Sequence, residues 1–140
     1  MIKEFTSNSV EETEEIARAF AKNLKKGDFI AMYGDLGVGK TAFVRALASV
    51  LAKAATVKSP TYTIVNEYRG DGIKIYHFDV YRITDDDDLY SVGFYDYLKK
   101  GICICEWSEN IPWAIPENAK KVKIERLGDG ANQRKITIEA

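Results

Sequence analysis

Eight consecutive residues, Gly34-Asp35-Leu36-Gly37-Val38-Gly39-Lys40-Thr41, follow the spacing G-x-x-x-x-G-K-[ST]. That spacing suits phosphate capture, in a loop of the P-loop type. Glycines reach positive φ and let backbone N–H groups converge on phosphate oxygens with no Cβ in the way. The apolar run "DFIAMYG" before the motif reads as a buried strand, and "KTAFVRALASVLAKA" after it as a helix rich in Ala and Leu. A helix start leaves its first N–H groups unpaired and turns its positive dipole end to the same point. Lys40 adds a mobile charge for β and γ phosphates, and Thr41 a hydroxyl for Mg²⁺. The expected cradle is Gly34, Asp35, Leu36, Gly37, Val38, Gly39, Lys40, Thr41 and Ala42.

A triphosphate bound with Mg²⁺ needs an acid at the end of a neighbouring strand. Asp79 closes the run "IKIYHF" and Glu106 closes "ICIC". With Lys40 they form the expected catalytic set, and with Thr41 the candidate metal set. Asp79 is assigned to the ion, directly or through water, and Glu106 to the attacking water; the reverse assignment stays open. His77, the single histidine, shares a strand face with Asp79 by alternation. It is expected to be a satisfied core histidine or to position Asp79. No N-K-x-D element is present, which favours adenine over guanine and hence ATP. No arginine-rich lid segment of the small-kinase kind is evident either.

These residues need a scaffold. "SNSVEETEEIARAFAKNLKKGD" reads as an amphipathic helix, capped by Ser9 with Glu12 at the capping-box position and stopped by Gly27. "TIVNEYRGDGIKIYHFDVYRI" reads as two strands turning at Asp71-Gly72. "DDDDLYSVGFYDYLKKG" reads as one or two short helices, "ICICEW" as a buried strand, and the tail as a hairpin around "GDGANQ". Helices separate the strands of the first half, while hairpins fill the second. The fold class expected is α/β, a P-loop NTPase-like mixed sheet with a parallel core, antiparallel edge strands and flanking helices, over one domain spanning residues 1–140.

Bulk properties bound the function. The 140 residues are 46% hydrophobic, with a net charge of −1 and a pI near 5.9. That balance offers no basic footprint for autonomous nucleic-acid binding. No apolar stretch approaches the ~20 residues of a membrane span, and the first residues lack a signal-peptide pattern. Cys103 and Cys105 alternate onto one strand face and read as reduced core thiols of a cytoplasmic protein. The run Asp85 to Asp88 cannot converge on one ion and is expected to sit at a helix N-terminus.

Taken with "GDLGVGKT", the motifs "SPTYT", "HFDVYR" and "EWSE" make the chain resemble the bacterial TsaE family, from "EET" near the start to "RKITIE" at the end. That family supplies a small ATPase for making threonylcarbamoyladenosine in tRNA. The resemblance implies a P-loop fold, slow ATP hydrolysis with Mg²⁺, and work with the TsaB and TsaD proteins, with tRNA reached through that complex. It implies a switch-like role for "SPTYT", with Thr61 sensing the γ-phosphate or metal and Thr63 second. It also implies adenine contacts near Thr6 to Glu12, and makes Glu106-Trp107 a second switch-like pair. Ala42 departs from a second hydroxyl common in the family, which Thr41 already covers.

Trp107 is expected to pack or to gate a nucleotide or partner contact. Arg82 is expected in structural pairing or partner contact, and "YSVGFYDYL" either as helices over the core or as a partner surface. Two other functions are carried as alternatives: a small-molecule kinase, and a nucleotide-gated adaptor without essential turnover.

Overall fold

The computed structural model describes residues 1–34, 39–52, 65–70, 72–128 and 132–140. The expectations placed on Asp35, Leu36, Gly37, Val38, Thr61, Thr63 and the turn residue Asp71 lie outside the described residues.

One seven-stranded sheet organises the chain, in the order β1-β7-β6-β2-β5-β4-β3. The strands are β1 (Ile2–Ser7), β2 (Phe29–Tyr33), β3 (Val65–Gly70), β4 (Ile73–Asp79), β5 (Ile102–Glu106), β6 (Lys120–Arg126) and β7 (Arg134–Glu139). β2 runs parallel to β5 and β6, and β5 parallel to β4. The pairs β3/β4, β6/β7 and β1/β7 are antiparallel. This is the mixed sheet with parallel core and antiparallel edges that the element pattern predicts. β1 is an addition: no strand is expected over Ile2–Ser7 from sequence. Its first three residues are exposed, so this edge strand lacks the alternation that would mark it.

Helix α1 (Val10–Ala21) starts where the cap chemistry predicts. The Glu12 N–H donates to the Ser9 side chain at 3.1 Å. Glu12 reaches one residue beyond the box, accepting from the Asn8 N–H at 2.9 Å. The helix stops at Ala21, well before Gly27. Gly27, at φ 94°, instead shapes the turn into β2, where its N–H donates to the Gly101 carbonyl. Helix α2 (Lys40–Leu51) begins at the motif lysine. α3 (Asp86–Ser91) and α4 (Phe94–Tyr97) follow β4, and two 3₁₀ turns, Ser108–Asn110 and Pro112–Ala114, follow β5. Asp85 caps α3 by accepting from the Asp88 N–H at 2.9 Å, so the acidic run serves a helix start.

Strand alternation sorts the core into two layers. Ile30, Met32, Ile75, Ile102 and Ile104 pack under α1 and α2 with Ala17, Phe20, Phe43, Val44 and Leu47. Phe29, Ala31, Phe78, Cys103 and Cys105 face the other way, against Leu89, Phe94 and Ile111. β2 and β5 are covered on both faces, which is why they read as unbroken apolar runs. Because β2, β5 and β4 run parallel, Tyr33, Glu106 and Asp79 end at one edge of the sheet. In open α/β sheets that carboxyl edge is where ligands bind.

Candidate functional site

Gly39 caps α2 in the left-handed region, at φ 108°, a backbone that side chains resist. Lys40 follows as the first helical residue and is only 4% exposed. Its ammonium donates to the Gly34 carbonyl at 2.6 Å and lies 4.3 Å from the centre of the Trp107 ring. An ammonium over an indole face is attracted by the ring quadrupole. Thr41 and Ala42 follow, both half-buried, in the first turn of α2.

Asp79 and Glu106 are register partners across β4 and β5, as the last residues of both strands. Alternation from Ile75 and from Ile102 and Ile104 puts both side chains on the α2 face, the side on which Lys40 starts its helix. Glu106 is 5% exposed and accepts a hydrogen bond from His77 Nε2 at 2.6 Å. A carboxylate accepts, so the imidazole carries its proton on Nε2. Nδ1 is then left to accept from the Tyr68 hydroxyl at 3.4 Å. His77 itself is fully buried.

His77 is the satisfied core histidine of the first expectation, and its partner corrects the alternative, a role in positioning Asp79. Alternation predicts the same face for His77 and Asp79, yet the imidazole serves Glu106. The longer Glu106 side chain reaches diagonally across the strand pair to His77. Asp79 is turned to its own loop instead, accepting from the Tyr81 N–H at 2.9 Å, as short acids do at strand ends. Burial holds the Asp79 carboxyl above its ordinary range, and nearby Glu106 adds to that. The Tyr81 N–H, Lys40 and His77 pull it part of the way back.

Trp107 follows Glu106 with φ 63° and ψ 36°. Among the described residues it is the only non-glycine with positive φ. For a bulky residue this conformation costs on the order of 1–2 kcal/mol. The turn lays its ring over Lys40 and against Tyr81, with ring centres 4.8 Å apart. Tyr81 is 58% exposed, and Arg82 beside it is exposed as well. Packing and contact with the motif lysine are thus both present at Trp107. The link from Lys40 through Trp107 to Tyr81 is absent from the sequence expectations. The adjacency of Trp107 to a strand-end acid is the one signal that points toward it.

The structure therefore brings together Gly34, Gly39, Lys40, Trp107, Asp79 and Glu106, with Thr41 and Ala42 beside Lys40 in the first turn of α2. A cavity of about 600 Å³ lined by Tyr33, Gly34, Glu109, Lys121 and Lys123 borders this edge. A more apolar cavity of about 510 Å³ lies between α1 and the β1/β7 side and holds none of the expected site residues. Among the described residues no three His, Cys, Asp or Glu side chains cluster as a metal cage.

Comparison with known proteins bears on the family and the fold. The family model "Threonylcarbamoyl adenosine biosynthesis protein TsaE" matches residues 7–136. The tRNA threonylcarbamoyladenosine biosynthesis protein TsaE of Bacillus subtilis is 38% identical over 131 residues, covering 93% of this chain and 80% of that protein. The protein of the same name from Aquifex aeolicus is 40% identical over 136 residues, covering 90% of this chain and 98% of the relative. The crystal structure of Bacillus subtilis YdiB superposes with a TM-score of 0.77 at 32% identity, covering 99% of this chain and 84% of the other. A family model that spans nearly the whole chain, together with this sheet and this carboxyl-edge cluster, means that the chain belongs to the TsaE family.

Proposed function

We propose that this protein is an Mg²⁺-dependent ATPase subunit of tRNA threonylcarbamoyladenosine biosynthesis, a single P-loop domain working in the cytoplasm with TsaB and TsaD. It reaches tRNA through that complex. One observation carries the reading: Lys40 at the start of α2 shares a sheet edge with two register-paired acids, Asp79 and Glu106. A cation at a helix start and carboxylates on adjacent strand ends are the parts a triphosphate site requires.

The donor set fits Mg²⁺. Thr41, Asp79 and Glu106 offer hard oxygens, and among the described residues no three His, Cys, Asp or Glu side chains form a cage. Mg²⁺ takes one or two carboxylates and completes its shell with water and substrate phosphate. When bound, it would neutralise phosphate charge. The chain's own residues do the rest. Lys40 exchanges its bond to the Gly34 carbonyl for phosphate oxygens. Loop amides of residues 34–39 hold the remaining oxygens, and Thr61 senses the γ-phosphate. Thr41 and Asp79 would hold the ion. Glu106 would orient the attacking water and is the remaining carboxylate of the candidate metal set. Its burial and its bond to His77 favour a fixed orienting role, while the half-exposed Asp79 suits the hydrated ion.

A second reading, the nucleotide-gated adaptor, draws on the Lys40–Trp107–Tyr81 stack. That stack joins the nucleotide lysine to an exposed aromatic side chain. The test is deletion of the gene and mass analysis of tRNA nucleosides. Loss of threonylcarbamoyladenosine, restored by wild type but not by Lys40→Ala or Glu106→Ala, supports the ATPase reading. Restoration by Glu106→Ala, in a form that binds ATP without turnover, moves the conclusion to the adaptor. Unchanged nucleosides on deletion refute both.

A further inference from the structure

We propose that His77 is the positioning residue for Glu106, pinning one carboxylate oxygen so that the other meets the attacking water. The inference deepens, and rests on, the ATPase reading above. Glu106 has three rotatable side-chain bonds, and its carboxylate is held at the end of a buried strand. Two observations show how it is held. His77 Nε2 lies 2.6 Å from Oε2 with both residues buried. Behind the imidazole, the Tyr68 hydroxyl lies 3.4 Å from Nδ1, where it can donate to the lone pair that a ring protonated on Nε2 keeps there. Tyr68 on β3, His77 on β4 and Glu106 on β5 thus form one hydrogen-bonded row across three neighbouring strands. One Glu106 oxygen is committed to this row, so a single oxygen is left for chemistry. A carboxylate free to swing would orient water in the reactive direction only part of the time, and misplacement by about 1 Å can cost on the order of 100-fold in rate.

A histidine that merely fills the core makes different predictions. Gln carries its amide nitrogen near the place of Nε2, whereas Asn places it near Nδ1 and falls short of Glu106. We expect His77→Gln to keep kcat within about 5-fold of wild type, and His77→Asn to lose about 10- to 100-fold in kcat. Affinity for a non-hydrolysable ATP analogue with Mg²⁺, read by calorimetry, should stay within about 3-fold in both, since the pinned oxygen acts on water rather than on phosphate. Thermal melting checks that both variants fold. If Asn fails to fold, His77→Leu replaces it in the comparison.

The protein holds one histidine, so ¹⁵N imidazole spectra need no assignment. A proton on Nε2 is expected. An unprotonated Nε2 overturns the proposal, as do equal kcat values for the Gln and Asn variants, whether both are active or both impaired. If wild type, with TsaB and TsaD present, hydrolyses no ATP, the ATPase reading itself fails and this inference falls with it. That result is distinct from an active wild type matched by its variants.

Discussion

The Lys40 ammonium sits 4.3 Å from the centre of the Trp107 ring while donating to the Gly34 carbonyl. On the proposed function, Lys40 must leave both partners to reach phosphate. In a Trp113→Phe background, where Trp107 is the sole fluorophore of its type, added Mg²⁺-ATP should change indole emission in a saturable way. Lys40→Ala should abolish the change. A flat titration in protein shown to bind ATP would mean that the lysine stays on the ring.

The φ of 63° at Trp107 makes a stability prediction. In ordinary positions Ala outperforms Gly, because Gly loses more chain entropy on folding. In the left-handed region the order reverses. Trp107→Gly should be more stable than Trp107→Ala by about 1 kcal/mol in urea melts. Equal stability, or the ordinary order, would mean that the turn relaxes once the ring is gone.

Asp79 should trade stability for function. Its carboxyl is raised above the ordinary range, by burial first and Glu106 next, so the folded chain binds that proton more tightly than the unfolded chain. Ionising it at neutral pH therefore costs stability, and the cost fades as pH falls through the raised value. Asp79→Asn keeps an oxygen for the Tyr81 N–H and removes the charge. It should melt higher than wild type at neutral pH, by an amount that shrinks as pH is lowered toward the ordinary carboxylate range, while ATP turnover falls about 100-fold. A lower melting temperature at neutral pH would contradict the sign.

Burial pushes the thiols of both Cys103 and Cys105 up to about 12. The thiolate is the reactive species. Native protein should leave both cysteines unmodified by iodoacetamide at pH 8, and denatured protein should take two labels by mass. Rapid labelling of the native chain would show that β5 opens.

Much of this arrangement is legible in sequence because local rules decide it. Ser9 and Glu12 mark the start of α1, "FIAMY" and "ICIC" mark doubly buried strands, and Gly39-Lys40 marks the strand-to-helix passage. Asp79 and Glu106 stand out as acids ending apolar runs. What stays hidden depends on neighbours in space. Alternation tells which face His77 occupies, but only the strand order puts Glu106 within its reach. β1 stays hidden because its stability comes from pairing with β7 rather than from its own pattern. The backbone of Trp107 has no sequence signal at all, since glycine or asparagine would be the usual residue there.

Calorimetric titration of ATP with Mg²⁺ into wild type and Lys40→Ala, both shown to be folded, tests the central claim most directly. One-site binding by wild type, weakened by about 100-fold or more in the variant, is the predicted result. No binding heat in wild type at any temperature tried, or the same isotherm for both proteins, would contradict triphosphate capture at residues 34–41.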